Sequence, residues 1–103
     1  MKVVTICGSM RYAEKMKRIA RELETERGWC VLQAVYNEDK KEDTITGLEN
    51  IFAGHYKRID LSDALYIVNI DGYIGEATKG EISYAKKKGK EIFYHEPLRT
   101  QEK

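Results

Sequence analysis

Four short apolar runs, separated by stretches in which apolar residues recur at helical spacing, organise this chain. The first run, Lys2-Val-Val-Thr-Ile-Cys7, is β-branched and almost uninterrupted, and Ala64-Leu-Tyr-Ile-Val-Asn-Ile70 repeats the pattern. Runs of that kind predict strands covered on both faces, as in a parallel sheet. Trp29 to Gln33 and Glu91 to Tyr94 predict two shorter strands. Between the first two strands, Ala13, Met16, Ile19, Ala20 and Leu23 share one helical stripe, with Gly28 placed to stop the helix. Leu48, Ile51, Phe52, His55 and Ile59 mark a second helix ending near residues 61–63, although Gly47 and Gly54 each weaken it by about 1 kcal/mol relative to alanine. A third helix is predicted from about Lys79 to Lys88, stopping at Gly89, and Pro97 ends regular structure. Asn37 to Asp43 is too polar for anything but a surface loop.

Strands alternating with helices imply right-handed crossovers. The predicted fold is therefore a single α/β domain over residues 1–103, a small flavodoxin-like or Rossmann-like three-layer sandwich. Its four-stranded parallel sheet is expected in the order 2-1-3-4. Ligands of such sheets sit beyond the carboxyl ends of the strands where the order reverses, here between strands 1 and 3. Two glycine-bearing turns lead into that crevice, Gly8-Ser-Met-Arg11 and Asp71-Gly-Tyr-Ile-Gly-Glu-Ala-Thr78.

Composition narrows the function classes. A length of 103 residues suffices for one core without disulfides. A net charge of +1 supplies no field to recruit nucleic acid or an anionic membrane. No apolar run approaches the roughly 18–20 residues of a membrane span, and no signal-peptide pattern precedes the first strand, so a cytoplasmic protein is expected. Cys7 and Cys30 are spaced for neither a zinc site nor a redox pair and read as buried thiols. His55 and His95, so far apart, do not make a metal site, and no cofactor is expected.

The chemistry sits in the two turns. Gly8, Ser9, Met10 and Arg11 open a helix whose free N–H groups and dipole favour an anion, with Arg11 able to pair with phosphate; alternatively Ser9 is a cap and Arg11 a solvated charge. Gly72, Tyr73, Gly75 and Thr78 belong to a loop that is neither a Walker P-loop nor a dinucleotide fingerprint. Thr78-Lys-Gly-Glu81 fits a capping box, in which Glu81 would reach back to Thr78. Glu81 also lies on the edge of the helix face that meets the sheet, where a carboxylate can attack an electrophilic carbon. Both readings stay open on spacing alone. His55 on its apolar stripe is either a packed histidine or a proton donor, and Asp71 is a second candidate for that task. Tyr12, Tyr73 and Tyr84 are expected near the crevice.

These motifs, Ile6-Cys-Gly-Ser-Met-Arg11, Ser62-Asp-Ala-Leu-Tyr-Ile-Val68, Gly72-Tyr-Ile-Gly75, Gly80-Glu-Ile-Ser-Tyr-Ala85 and Gly89-Lys90, resemble the nucleoside 2-deoxyribosyltransferase superfamily, which includes 2′-deoxynucleoside 5′-phosphate N-hydrolases. The resemblance spans Val3 to about Tyr94 and implies a nucleophilic glutamate at Glu81 that displaces a base from C1′. It implies a 5′-phosphate held by Ser9, Arg11 and the backbone from Gly75 to Thr78, and a homodimer, expected here through the second helix. Three positions differ: an aromatic hydroxyl of the first strand is Thr5, an aspartate of the second helix is His55, and an Asp or Ser of the later loop is Gly75. The expected function is thus nucleotide binding with cleavage or transfer of an N-glycosidic bond, and the alternative is a nucleotide-binding or sensing module without turnover.

Overall fold

The sheet is built around Val3–Gly8 (β1), in which Val4, Thr5, Ile6 and Cys7 are each 1% exposed or less. Burial on both faces explains why this run carries almost no polar side chain. In the computed structural model, which describes residues 1–36 and 44–98, β1 pairs in parallel with Cys30–Leu32 (β2) on one side and Ala64–Val68 (β3) on the other. Glu91–Tyr94 (β4) adds to the far edge of β3, giving an all-parallel sheet in the order β2-β1-β3-β4. The expected flavodoxin-like order is the observed one. The predicted surface loop at 37–43 lies outside the described residues.

Alternation along the strands divides the core in two. Val4, Ile6, Ala64, Tyr66 and Val68 face Ala13–Arg27 (α1), meeting Met16, Ile19, Ala20 and Leu23. Cys7, Leu65 and Ile67 face the opposite side, where Ile59 of Ile45–Leu61 (α2) and Ile82 and Ala85 of Glu76–Lys87 (α3) close over them. Gly28 terminates α1 at φ 69°, and its N–H bonds the carbonyls of Glu24 and Leu23, a left-handed stop that glycine adopts without strain. At the end of α2, Lys90 Nζ donates to the carbonyl oxygens of Asp60 and Ser62 at 3.0 and 2.8 Å, so a lysine from the start of the β4 segment satisfies helix-end acceptors. Among the described residues, no helix is long and apolar enough to cross a membrane.

Several boundaries differ from expectation, and β3 stops at Val68 rather than at Ile70, which opens a 3-10 turn over Ile70–Gly72. β2 is only Cys30–Leu32, as suits an edge strand paired on one side. α3 begins at Glu76 rather than near Lys79, because Gly75 stands at the N-cap position and Lys79 N–H already bonds the Gly75 carbonyl. The apolar stripe of α2 is also divided. Its lower part, His55 and Ile59, is buried, whereas Leu48 and Phe52 are exposed at its upper end.

Asn69, 1% exposed at the end of β3, clasps the segment after β4. Its side-chain amide donates to the Glu96 carbonyl at 2.9 Å and its Oδ1 accepts from Glu96 N–H at 2.8 Å, while Glu96 Oε1 accepts from the Asp71 amide. Asn69→Ala strands those backbone groups, so a loss of about 1–3 kcal/mol is expected. Hydrogen exchange at the Glu96 amide checks it: protection should drop selectively there, and unchanged protection would exclude the clasp.

Candidate active site

The crevice at the point where strand order reverses is lined from several sides, Ala34 and Val35 after β2 among them. Gly8, Ser9 and Met10 come from the end of β1, His55 with Leu48, Ile51 and Phe52 from α2, and Gly75, Thr78 and Glu81 from the start of α3. The cavity measures about 380 Å³, within the range of about 300–1,000 Å³ typical of small-molecule clefts.

Gly8 is required by proximity. A Cβ there would lie 3.2 Å from Met16 Sδ and 3.2 Å from the Val68 carbonyl oxygen, since β1 and β3 run side by side at this register. The turn after it is a short 3-10 segment, Met10–Tyr12, capped by Ser9, whose Oγ accepts from Arg11 N–H at 3.3 Å. Ser9 thus caps and lines the cavity at once. Arg11 lies over the ring of Tyr73, 4.2 Å from its centroid, and Tyr73 meets Tyr12 edge-on at 6.4 Å. This stack ties the two glycine-bearing turns together, but Arg11, Tyr12 and Tyr73 are outside the cavity lining.

Glu81 is not a cap. With Gly75 as N-cap, Thr78 falls at the third position of the helix and Glu81 three residues further on, out of reach of the first turn. Thr78 and Glu81 are instead buried, at 3% and 7% exposure, and both line the cavity. No side chain caps the amides that open α3, among the described residues. Those amides present the donors and partial positive charge that suit an anion.

Glu81 Oε1 lies 3.3 Å from His55 Nε2, with the two side chains 9% and 10% exposed. Cys7 Sγ lies 3.6 Å from the same nitrogen. A thiol–imidazole–carboxylate relay needs the acid and the nucleophile on opposite ring nitrogens. Here both share Nε2, and Nδ1 has no partner among the described residues, so the trio is not such a relay. Burial first, and the Glu81 charge second, push the Cys7 thiol well above its ordinary 9.0, which keeps it protonated rather than nucleophilic. Raised in the fold, that thiol contributes stability present below its unfolded value and lost as pH climbs through the folded one. Alkylation reads the same burial: at pH 8, with a chelator present, iodoacetamide should label the half-buried Cys30 well before Cys7, and equal labelling would contradict the burial of Cys7.

The remaining sequence candidates lie elsewhere. Asp71 is exposed, at φ 54°, with its amide held by Glu96, and neither it nor Gly72 lines the cavity. Tyr84, expected near the crevice, packs edge-on against Tyr56 and donates to Asp60 Oδ1 at 2.6 Å, because α3 turns that face toward α2. Cys7 is the site residue that sequence reasoning treated only as a packed thiol. The signal available was its parity with Thr5, which puts both on the α2–α3 face of β1.

Fold and site together define an open-crevice α/β protein with a buried carboxylate–imidazole–thiol centre beneath its switch point. No known protein family, no curated protein and no solved structure matched the chain.

Proposed function

We propose that this protein binds a nucleoside 5′-phosphate in the cavity and cleaves its N-glycosidic bond, with Glu81 as the nucleophile. The observation that carries the reading is that Ser9, from the first glycine-bearing turn, and Glu81, from the helix that follows the second, line one cavity at the switch point while Glu81 is withdrawn from any capping role. The walls suit an amphiphilic ligand. Met10, Leu48, Ile51 and Phe52 offer apolar surface for a base, and the uncapped start of α3 offers amides for a phosphate. No lysine or arginine lines the cavity among the described residues, so backbone donors, rather than a cationic clamp, carry anion recognition.

In the proposed reaction a Glu81 oxygen bonds C1′ as the C1′–N bond breaks, and the base leaves with the bonding pair and receives a proton from His55. Water then attacks C1′, the C1′–O bond to Glu81 breaks, and His55 takes the proton from the water. Asp71, exposed and away from the cavity lining, has no part in this scheme.

A panel of deoxynucleoside 5′-monophosphates and the matching nucleosides, assayed by chromatography for free base with a chelator present, tests the reading. Release from monophosphates in preference to nucleosides is the expected result. Saturable binding with no release would instead favour a binding module without turnover, a reading that draws on the buried His55–Glu81 contact.

A further inference from the structure

Three donor atoms of different chemistry converge at the floor of the cavity: Cys7 Sγ, His55 Nε2 and a Glu81 carboxylate oxygen, all within 4.8 Å of one another. Outside the trio, the Cys7 thiol has one long contact, to the Thr5 carbonyl at 3.9 Å. Nε2 has one position to donate or accept, yet both the thiol and the carboxylate address it, at 3.6 and 3.3 Å. If Nε2 carries the proton it donates to Glu81 and leaves the thiol only the distant Thr5 carbonyl; if it does not, the thiol can donate to it but the Glu81 oxygen meets a lone pair. The unpartnered Nδ1 fixes neither arrangement.

We propose that Cys7, His55 and Glu81 form a binding site for one thiophilic divalent cation of the Zn²⁺ class, with three protein ligands and a fourth position open to the cavity. Zinc bonds of about 2.3 Å to sulfur, about 2.05 Å to nitrogen and about 2.1 Å to oxygen, at tetrahedral angles, separate sulfur from nitrogen by about 3.6 Å and nitrogen from oxygen by about 3.4 Å. The observed separations of 3.6 and 3.3 Å match two edges of one tetrahedral face, and the third, sulfur to carboxylate oxygen, lies within 4.8 Å, so a small inward turn of a side chain completes it. A soft thiolate with imidazole selects zinc or cobalt over calcium or magnesium, and three protein ligands with an open position are the pattern of a zinc ion that takes water or a ligand. On binding, the Cys7 S–H bond breaks, its proton leaves to solvent and sulfur bonds the metal, while Nε2 contributes its lone pair and Nδ1 keeps the ring proton.

The site was invisible to a search for ligand spacing because its donors come from β1, α2 and α3, which only the fold brings together. It uses the carboxylate that the proposed glycosidic chemistry needs, so a metal-bound Glu81 is not free to attack C1′. Whether the metal binds is nevertheless read without turnover, and failure of one claim leaves the other standing.

The experiment is a Co²⁺ titration of the purified 103-residue chain, followed by absorbance. The wild type should bind one ion, with a thiolate-to-cobalt charge-transfer band and the intense visible bands of a tetrahedral ion. Cys7→Ser should lose the charge-transfer band, and Glu81→Gln should weaken Co²⁺ binding by at least about 10-fold, the loss that even outer-shell partners produce. Cys30→Ser should change neither, and excess Zn²⁺ should displace the cobalt. Circular dichroism establishes that each variant is folded, and Glu81→Gln, near-isosteric and leaving the thiol in place, provides the decisive reading if Cys7→Ser does not fold. A wild-type chain with no charge-transfer band, a band lost in Cys30→Ser instead, or unaltered affinity in Glu81→Gln would overturn the proposal.

Discussion

Glu81→Gln is expected to lower base release from a deoxynucleoside monophosphate by roughly 10³-fold or more while leaving nucleotide binding within a few-fold of wild type. Glutamine matches glutamate in size and can still hydrogen-bond His55 Nε2, so the pair's packing at 7–8% exposure survives. What disappears is the negative charge and the basic oxygen that would bond C1′, and removing a nucleophile typically costs several orders of magnitude in the chemical step. Retention of more than a tenth of wild-type turnover would show that Glu81 positions something rather than attacking. Loss of binding together with turnover would instead assign Glu81 to ligand recognition.

Leu65→Ala should produce the largest loss of stability. Leu65 is 0% exposed on the central strand β3, on the face where Ile59 of α2 and Ile82 and Ala85 of α3 meet the sheet. Truncation removes buried methyl groups and leaves a void that its β-sheet neighbours cannot move to fill, at a cost of about 2–5 kcal/mol. For a domain of this size the melting temperature should fall by about 10–30 °C. Because the same cluster seats the helices carrying His55 and Glu81, turnover should fall further than temperature alone explains. A drop of only a few degrees would mean that this half of the core tolerates the void.

Much of the scaffold was legible in the pattern of residues. Ala64 to Ile70 reads as a strand covered on both faces, and the fold keeps Ala64–Val68 of it, all five residues buried. Gly28 reads as a helix stop because only a left-handed residue ends α1 there, and its φ is 69°. The start of α3 differs from expectation for a physical reason. Gly75 caps with no side chain and so leaves no signature, while Thr78 and Glu81 happen to sit at capping-box spacing one turn later.

The site was legible only in part. Periodicity puts Glu81 on the sheet-facing edge of its helix and the expected strand order puts the Ser9 turn at the crevice, and both residues line the cavity. It could not pair Glu81 with His55, since that contact depends on how α2 and α3 pack side by side. Nor could it separate Arg11 from a ligand role, because the ring that holds it, Tyr73, comes from the other turn. Cys7 looked like core because it is core by burial, and its part in the centre follows only from the donors that fold over it.

The central claim is a covalent bond between Glu81 and C1′, and trapping tests it most directly. A 2′-deoxy-2′-fluoro nucleoside 5′-monophosphate forms and breaks such a bond slowly, because fluorine disfavours positive charge at C1′. Incubated with the protein in the presence of a chelator, it should add one fluorinated sugar phosphate per chain by intact mass, with free base released in equal amount. Peptide mapping should place the adduct on Glu81, and Glu81→Gln should acquire none. Base release without any adduct, or an adduct on another residue, would contradict Glu81 as the nucleophile.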